Sequence, residues 1–378
     1  MPGIVPPGSK VLVTGANGYI AAWVVRTLLE KGYAVRGTVR SEAKGEPLKK
    51  VFGDYKEKFE TVVVEDITKD GAFDEAVKGV DAIEHTASPF HFKADDPQEL
   101  IGPAVNGTRS ILKSALSQSS IKRIVVTSST AALISVLPEP KVFNELDWNE
   151  QAIEEVKQQG KKATQAAKYR ASKTMAEKGM CMPVYSLECC REFSQSYSPS
   201  FYLAAWEFYR ASETNRSWDL VVLNPPFVFG PIIHDISTPS ALGTSAGDWY
   251  NSVVRPDMGG KTIEAITTVG GGWVDVRDIA LAHVLALQKQ EAGGERLLIS
   301  KGEFVYQDFI DTANALSPSP IPSHTDLPKG KPGAGKDFVP KIVYDASKAS
   351  KILGPELVYH TMEETTRDTL EDFEKRGW

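Results

Sequence analysis

The chain has 378 residues, of which 42% are hydrophobic, and carries a formal net charge of −6. This length fits one large domain or two unequal ones, and the acidic balance argues against nucleic acid or an anionic membrane as a partner. Three cysteines and six histidines show no metal-ligand spacing, and no apolar run approaches the length of a membrane helix. Residues 1–7 lack the basic start and apolar core of a secretory signal, so we expect a cytoplasmic protein without a metal.

A glycine-rich turn separates the first predicted strand, 10–13, from a predicted amphipathic helix over 19–31. Backbone N–H groups at such a helix start attract a dinucleotide pyrophosphate, and glycine leaves room for its approach. The spacing is Gly15-x-x-Gly18-x-x-Ala21 rather than the commoner G-x-G-x-x-G, and an ordinary turn explains this segment alone equally well. The residues expected to contact a cofactor here are Gly15, Asn17, Gly18, Tyr19 and Ile20.

The second predicted strand, 34–39, indicates which dinucleotide binds. A fold that prefers NAD places an acidic residue at the end of this strand, on the ribose 2′-hydroxyl. Here the position holds Arg40, with Lys44 close behind it. Cationic side chains suit a 2′-phosphate, so we expect NADPH/NADP as the cofactor. The alternative is that Arg40 is an ordinary solvated charge at a strand end.

Apolar strands then alternate with helical segments along the chain. Further strands are predicted over 61–66, 82–85, 123–127 and 220–223, and the clearest helix over 104–117. This alternation predicts an α/β fold, a Rossmann-type doubly wound parallel sheet with a smaller C-terminal substrate-binding domain. Ligands bind at the carboxyl ends of such strands. The candidate cofactor contacts there are Asp66, Ile67, Thr86, Ala87 and Ser88, although a capping or turn role explains each equally well.

Three polar side chains form the candidate catalytic set. Tyr169 and Lys173 are four residues apart, which places them on one face of a helix. An ammonium near a phenol is expected to lower the phenol pKa and so to improve it as a proton donor. Ser129 lies two residues after the strand over 123–127 and can hold a substrate oxygen against the phenol. This set suits the transfer of a hydride and a proton to a carbonyl.

The same Tyr-x-x-x-Lys pattern occurs again at Tyr344 and Lys348. It follows a loop rich in Gly, Pro and Lys, and no serine-ended strand precedes it. We therefore expect Tyr344 to pack and Lys348 to be solvated. Position in the chain, and not the pattern, separates the two pairs.

The chain resembles the extended short-chain dehydrogenase/reductase family. Within it, the chain is similar to the fungal NADPH-dependent carbonyl reductases of the aldehyde reductase II, methylglyoxal reductase and dihydroflavonol reductase-like group. The matching segments are 13–21, 35–40, 125–129, 169–173, 224–231 and 274–280, in the family's order. The resemblance implies reduction of a small-molecule ketone or aldehyde, with Tyr169 as proton donor, Lys173 beside it and Ser129 as catalytic serine (Ser128 as fallback). It further implies cofactor contacts at Thr127, Tyr169, Lys173, Pro225, Phe227 and Val228, and a relay water on Asn106.

Residues 179–203 interrupt this resemblance. In the family, the helix that carries the tyrosine continues through Ala-Glu-x-Ala-Ala-Trp-x-Phe, whereas here the insertion separates Lys178 from Ala204. It contains all three cysteines and two prolines. One interpretation is a surface loop. The other is a retained intron, because Gly-Met-Cys can be encoded by GGTATGTGC, which contains the splice donor GTATGT, and Leu-Ala by TTAGCN, which contains an acceptor TAG.

The remaining expectations concern domains, pocket and alternatives. Residues 1–224 should form the NADP-binding domain and 225–378 mainly the substrate-binding domain, with about 273–300 returning to the first. Substrate-pocket candidates, each of which could equally be packing, are His234, Trp249, Tyr250 and Met258. The alternatives are another reaction of the family (epimerase, dehydratase or hydroxysteroid-type dehydrogenase) and a non-catalytic NADP sensor. We expect a monomer or homodimer.

Overall fold

The computed structural model describes residues 4–88, 94–178 and 205–378, so the predicted insertion over 179–203 lies outside the described residues. The central sheet has seven parallel strands: β1 (Lys10–Thr14), β2 (Ala34–Val39), β3 (Phe59–Val63), β4 (Ala82–His85), β5 (Arg123–Thr127), β7 (Asp219–Asn224) and β10 (Arg296–Leu298). Their order across the sheet is β10-β7-β5-β4-β1-β2-β3. The order reverses between β1 and β4, which is where an open parallel sheet forms its ligand crevice. The predicted fold class is confirmed.

The predicted third strand is wrong in its position. The sequence predicts it over 61–66, whereas β3 spans Phe59–Val63. The cause is its pairing with β2, in which Val35 lies opposite Phe59 and Val39 opposite Val63. Because β2 ends at Val39, β3 has no partner beyond this point, and the chain leaves the sheet before Asp66.

Helices cover both faces of this sheet. They are α1 (Tyr19–Glu30), α2 (Glu42–Val51), α3 (Gln98–Ala115), α4 (Glu150–Gln159), α5 (Gln165–Lys178), α6 (Ala205–Ala211) and α9 (Val276–Gln288). Helices α1 and α9 share one apolar cluster with the strands, and α3 and α6 share the other. Helix α3 starts six residues before the predicted 104–117 because it accommodates Pro103 in its second turn.

A second group of strands and helices lies mainly after β7 in the chain. A mixed sheet joins β8 (Phe227–Phe229), β9 (Gly270–Asp275) and β11 (Gly302–Val305), and β12 (Ile342–Tyr344) pairs with β6 (Lys141–Phe143). The helices of this part are α7 (Thr244–Val253), α8 (Ile263–Thr268), α10 (Tyr306–Ala315), α11 (Ser347–Leu353) and α12 (Met362–Arg376). Its core is aromatic and includes Trp249, one of the pocket candidates, packed edge-on against Phe309.

A buried polar junction ties α9 to α12. Asp275 caps α9 by accepting from the Arg277 N–H at 2.8 Å, and the Arg277 guanidinium also pairs with Asp368 on α12. The Thr365 hydroxyl, on α12, donates to Asp275 as well. This junction is structural. In the described part of the chain, no helix is both long and apolar enough to cross a bilayer, and no cluster of three or more potential metal ligands occurs.

Candidate active site

The glycine turn between β1 and α1 lies against the ends of β2 and β4. Gly15 has φ +64°, its N–H donates to the Thr38 hydroxyl at 3.0 Å, and a Cβ added to it would lie 3.2 Å from the Ala87 Cβ. The positive φ therefore favours glycine, and the close approach to Ala87 adds to this preference. Gly18 precedes α1 without a side-chain cap, so the first N–H groups of the helix face the crevice available to an anion.

The side chain of Tyr19 does not point its hydroxyl at the crevice. The hydroxyl donates to the Gly230 carbonyl at 2.7 Å, and the ring lies 5.7 Å from that of His234. Tyr19 thus joins the glycine turn to the segment after β8, and only its backbone remains for a cofactor. Asn17 and Ile20 lie partly exposed on the same turn and helix start.

Two cations that follow β2, one just after the strand and one in the first turn of α2, are available to bind a ligand. Arg40 and Lys44 are exposed, and neither forms an ion pair with any residue the structure describes. Arg36 differs, because its guanidinium pairs with Glu60 at 2.8 Å and donates to the carbonyls of Ala76 and Lys78. Arg40 and Lys44 are therefore the cations suited to a 2′-phosphate.

The end of β3 supplies Asp66 and Ile67. One carboxylate oxygen of Asp66 accepts from the Thr68 N–H at 2.9 Å and from the Thr68 hydroxyl at 2.6 Å, and these bonds lower the Asp66 pKa. Ile67 packs on α3 at Gly107, where a Cβ would lie 2.9 Å from the Ile67 side chain. The capping role that the sequence left open for Asp66 is thus present, and its second oxygen has no hydrogen bond within the described residues.

The end of β4 is anchored to Thr14 on β1. The Thr86 and Ala87 N–H groups donate to the Thr14 hydroxyl oxygen at 3.1 and 3.0 Å. The hydroxyl proton therefore goes to the His85 Nδ1, 3.0 Å away. Burial lowers the His85 pKa to about 3, with Lys173 adding to the effect, so this imidazole is neutral.

Helix α5 brings the predicted catalytic side chains to the crevice. Tyr169 hydrogen-bonds Ser129, and burial raises the Tyr169 pKa to about 12, against the smaller opposing effect of that bond. The expected lowering of the phenol pKa by Lys173 is thus wrong for this structure. The Lys173 ammonium donates to the Ser88 hydroxyl at 3.0 Å, and burial lowers its pKa to about 8 against the opposing charge of Glu177. At neutral pH the phenol is protonated and the lysine charged.

The structure separates the two adjacent serines. The Ser128 hydroxyl is buried and donates to Glu177 Oε2 at 2.5 Å. Ser129 instead accepts from the Ala131 N–H at 3.1 Å and reaches Tyr169. The geometry favours Ser129 over Ser128 as the catalytic serine. The Thr127 hydroxyl lies 3.0 Å from His283 Nε2 on α9, so only its backbone is left for a cofactor.

The segment after β7 lies next to the catalytic serine candidate. The Pro225 carbonyl accepts from the Thr130 N–H at 3.0 Å, next to Ser129. Val228 is buried, whereas Phe227 is 38% exposed with its ring stacked on Phe229. Asn106 is partly buried on α3.

Tyr344 lies closer to the site than the sequence predicted. Its hydroxyl bonds Thr130, which directly follows Ser129, and its ring packs where a Cβ on Gly272 would clash at 2.4 Å. Packing was predicted correctly, but this hydrogen bond was missed. Lys348 is paired with Glu295 at 2.5 Å rather than simply solvated.

The sequence reasoning also missed a buried polar group behind the site: Glu177, Asn224 and Arg296. Glu177 continues the four-residue spacing of Tyr169 and Lys173 along α5, and a third polar side chain at that spacing is a signal that could have been noticed. Nothing in the spacing of Asn224 and Arg296 indicates that they meet it.

Comparisons with known proteins indicate the family of this chain. Residues 11–181 match the NAD dependent epimerase/dehydratase family. The chain is 35% identical over 371 residues to the NADPH-dependent methylglyoxal reductase of Saccharomyces cerevisiae, covering 95% of this chain and 96% of that protein. It is 34% identical over 361 residues to a ketoreductase of Aspergillus niger, covering 91% and 92%.

A solved structure of a reductase is similar to this chain over nearly its whole length. The yeast methylglyoxal/isovaleraldehyde reductase complexed with NADPH has a TM-score of 0.77 and 31% identity, covering 97% of this chain and 99% of that one. The predicted family is therefore confirmed: the chain belongs to the extended short-chain dehydrogenase/reductases, and its relatives within that family include a fungal NADPH-dependent methylglyoxal reductase and a fungal ketoreductase.

Proposed function

We propose that this chain is an NADPH-dependent oxidoreductase that reduces ketones or aldehydes to alcohols. The observation that carries the proposal is the contact set at the crevice, in which Tyr169 bonds Ser129 and Lys173 bonds Ser88. A phenol, a hydroxyl and an ammonium meet there beside a glycine turn. The relatives named as methylglyoxal reductase and ketoreductase support the same class of reaction.

The residues present suit NADPH. The uncapped start of α1 and the close approach of Gly15 to Ala87 form a cradle for the pyrophosphate, which larger side chains would fill. Arg40 and Lys44 would hold the 2′-phosphate, and Lys173 the nicotinamide ribose. When bound, NADPH supplies the hydride that adds to the carbonyl carbon.

The side chains of the chain itself supply the proton and the orientation. Tyr169 donates its phenolic proton to the carbonyl oxygen as that oxygen gains charge, which is general acid catalysis. Ser129 donates a hydrogen bond to the same oxygen and holds it against the phenol. The buried Lys173 ammonium then stabilises the phenolate until a proton returns from solvent.

We propose that the elements after residue 225 bind the substrate, above the end of the crevice marked by Phe227. This ring is the most exposed aromatic residue of the site, since Phe229 and Phe304 behind it are buried. The domain division at 224 and 225, a cytoplasmic location and a monomeric or homodimeric state belong to the same proposal. Light scattering on the purified chain and microscopy of a tagged copy test the last two.

A direct assay tests the proposed reaction. Purified chain is mixed with NADPH and a panel of ketones and aldehydes, and the reduced-nicotinamide absorbance is followed while the products are identified. We expect NADPH oxidation with at least one carbonyl and formation of one alcohol per NADPH consumed. Binding of NADPH without oxidation for every carbonyl would favour a sensor instead, and would contradict the proposal.

A further inference from the structure

Glu177, the single carboxylate of α5, is almost completely buried, with 2% of its surface exposed. It lies one helical turn after Lys173 and two turns after Tyr169, on the face that meets the central sheet. A buried carboxylate is unfavourable unless hydrogen bonds and a counter-charge compensate it. Its partners therefore indicate what it contributes.

Three side chains from three strand ends converge on Glu177. Ser128, after β5, donates to Oε2 at 2.5 Å, and Asn224, at the end of β7, donates to the same oxygen at 2.8 Å. Arg296, at the start of β10, donates from Nε to Oε1 at 2.5 Å. The helix that carries the proton donor is thus fastened to three strands through one carboxylate.

The second contact of Asn224 connects this group to the catalytic serine. Asn224 Nδ2 also donates to the Ser129 carbonyl at 3.1 Å. The main chain of Ser129 is therefore held at its own carbonyl by Asn224 and at the preceding residue by the Ser128 side chain. Both supports depend on Glu177, because it accepts from both side chains.

Arg296 extends the anchorage away from the site. Its guanidinium donates to the carbonyls of Glu145 and Asp147, and it stacks 3.5 Å from the centre of the Trp148 ring. These contacts fix the cation whether or not Glu177 is present. Glu177 therefore pairs with a side chain that other contacts also hold in place.

We propose that Glu177 is a positioning residue, which fixes the Ser129 main chain through Ser128 and Asn224 and places a negative charge one helical turn from Lys173. It touches neither substrate nor cofactor. It acts by holding the hydroxyl, the phenol and the ammonium in one arrangement. This inference rests on the proposed function, since it assigns a role relative to that catalytic set.

The charges around Lys173 make the inference measurable. Glu177 is the carboxylate that favours the charged form of Lys173, against burial, which lowers the Lys173 pKa to about 8. The ammonium also faces the Ser88 hydroxyl and the neutral His85 of β4, and Tyr169 lies one helical turn before it on α5. Arg296 faces Glu177 from β10. Loss of the carboxylate should therefore make Lys173 release its proton at lower pH.

The test uses Glu177→Gln, which keeps the shape and removes the charge. NADPH dissociation constants are measured by fluorescence titration across the neutral and alkaline range, and kcat is measured at neutral pH. We expect the alkaline weakening of NADPH binding to begin at least about half a pH unit lower than in the wild type, since an anion near Lys173 is lost. We expect kcat to fall at least about tenfold, since Ser129 is no longer fixed.

Two further variants serve as controls for this test. Glu177→Gln leaves Arg296 buried without its counter-charge, so the double variant Glu177→Gln/Arg296→Gln is measured as well. A shift in the same direction is expected, and it should be smaller because the loss of the Arg296 cation opposes it. The control is Glu150→Gln on α4. It removes an exposed ion pair with Lys178, which lies on the same helix as Glu177, and should change neither the pH dependence of NADPH binding nor kcat.

The inference is overturned if either Glu177 variant folds, binds NADPH with the same pH dependence as the wild type, and has a kcat within about twofold of wild type. The binding profile needs no turnover. If the proposed reduction fails, the wild type shows it. If this inference fails, the variants show it, so the two results can be told apart.

Discussion

The chain carries the Tyr-x-x-x-Lys pattern twice, and the two tyrosines have similar surroundings. Tyr169 bonds Ser129 and Tyr344 bonds Thr130, so the two phenols contact side chains of adjacent residues. Burial raises the pKa of each phenol to about 12. Neither the environment of the phenol nor its hydroxyl partner distinguishes a proton donor from a packing residue here.

The lysines differ instead. Tyr169 and Lys173 both belong to α5, whereas Tyr344 ends strand β12 and Lys348 belongs to α11, so only the first pair shares a helix face. Lys173 is buried beside Ser88 without an ion pair within the described residues, whereas Lys348 pairs with Glu295 at 35% exposure. The spacing alone therefore says little. We propose that a continuous helix and a buried ammonium without a direct ion pair give the first pair its chemistry.

The largest effect expected from this comparison is that of Tyr169→Phe. Loss of the general acid should lower kcat roughly 10²- to 10⁴-fold while NADPH affinity stays near that of the wild type, because the phenol acts on the substrate oxygen. Steady-state rates and a fluorescence titration measure the two quantities. A suitable control is Tyr359→Phe, which removes a buried hydroxyl without a hydrogen-bond partner in the described structure and should leave the rate unchanged. Reduction at a near wild-type rate by Tyr169→Phe would show that another group supplies the proton.

Lys173→Met should weaken NADPH binding and lower kcat, by roughly a hundredfold in kcat/KM, because a charge-assisted hydrogen bond is lost. The wild type should show a pH effect of defined sign. Burial lowers the Lys173 pKa from 10.5 to about 8, so the ammonium is present below that pH and is lost as the pH rises through it. NADPH affinity should therefore fall above about pH 8 in the wild type and be flat in the variant. The same alkaline fall in Lys173→Met would assign it to another group.

The first pair also lies beside a crevice with free cations, and Arg40→Ala tests whether that crevice selects NADPH. Arg40 is exposed, so solvent weakens its contribution, and NADPH affinity should fall about tenfold while NADH affinity changes little. Dissociation constants for both cofactors measure this. Lys50→Ala, an exposed cation on α2, is the matched control. Equal losses for NADPH and NADH would contradict the assignment of Arg40 to the 2′-phosphate.

The smallest effect is expected at the second pair. Tyr344→Phe loses one hydrogen bond to Thr130, which should lower stability by about 1 kcal/mol and kcat by less than about fivefold. The thermal midpoint and the rate measure these changes. Lys348→Met should leave the rate unaltered. A loss in Tyr344→Phe as large as that in Tyr169→Phe would abolish the distinction drawn between the pairs.

Most of the sheet could be predicted from the sequence because its strands are short apolar runs bounded by polar turns. The strands at Ala34–Val39, Ala82–His85 and Arg123–Thr127 have the predicted bounds. The third strand could not be placed correctly, because its ends are set by where β2 ends and not by its own valines. The small strand pair of β6 and β12 joins segments about two hundred residues apart, which no local pattern indicates.

Candidate site residues could be predicted from the sequence where the chemistry or the backbone conformation at a position favours one residue type. Gly15 adopts a positive φ, and Tyr169 and Lys173 follow helical spacing, so each was found locally. The partners of Glu177 and the bond from Tyr344 to Thr130 were missed because each joins residues distant in sequence. The phenol pKa was predicted in the wrong direction because burial, which a sequence does not report, outweighs the neighbouring charges.

One labelling experiment tests the central claim most directly. NADPH carrying deuterium on the nicotinamide carbon that donates hydride is supplied with a reducible ketone to the wild type, Tyr169→Phe and Tyr344→Phe, and the alcohol is analysed by mass spectrometry. The account predicts deuterium on the new carbinol carbon with the wild type and Tyr344→Phe, and almost no alcohol with Tyr169→Phe. Unlabelled alcohol from the wild type, or equal yields from both variants, would contradict it.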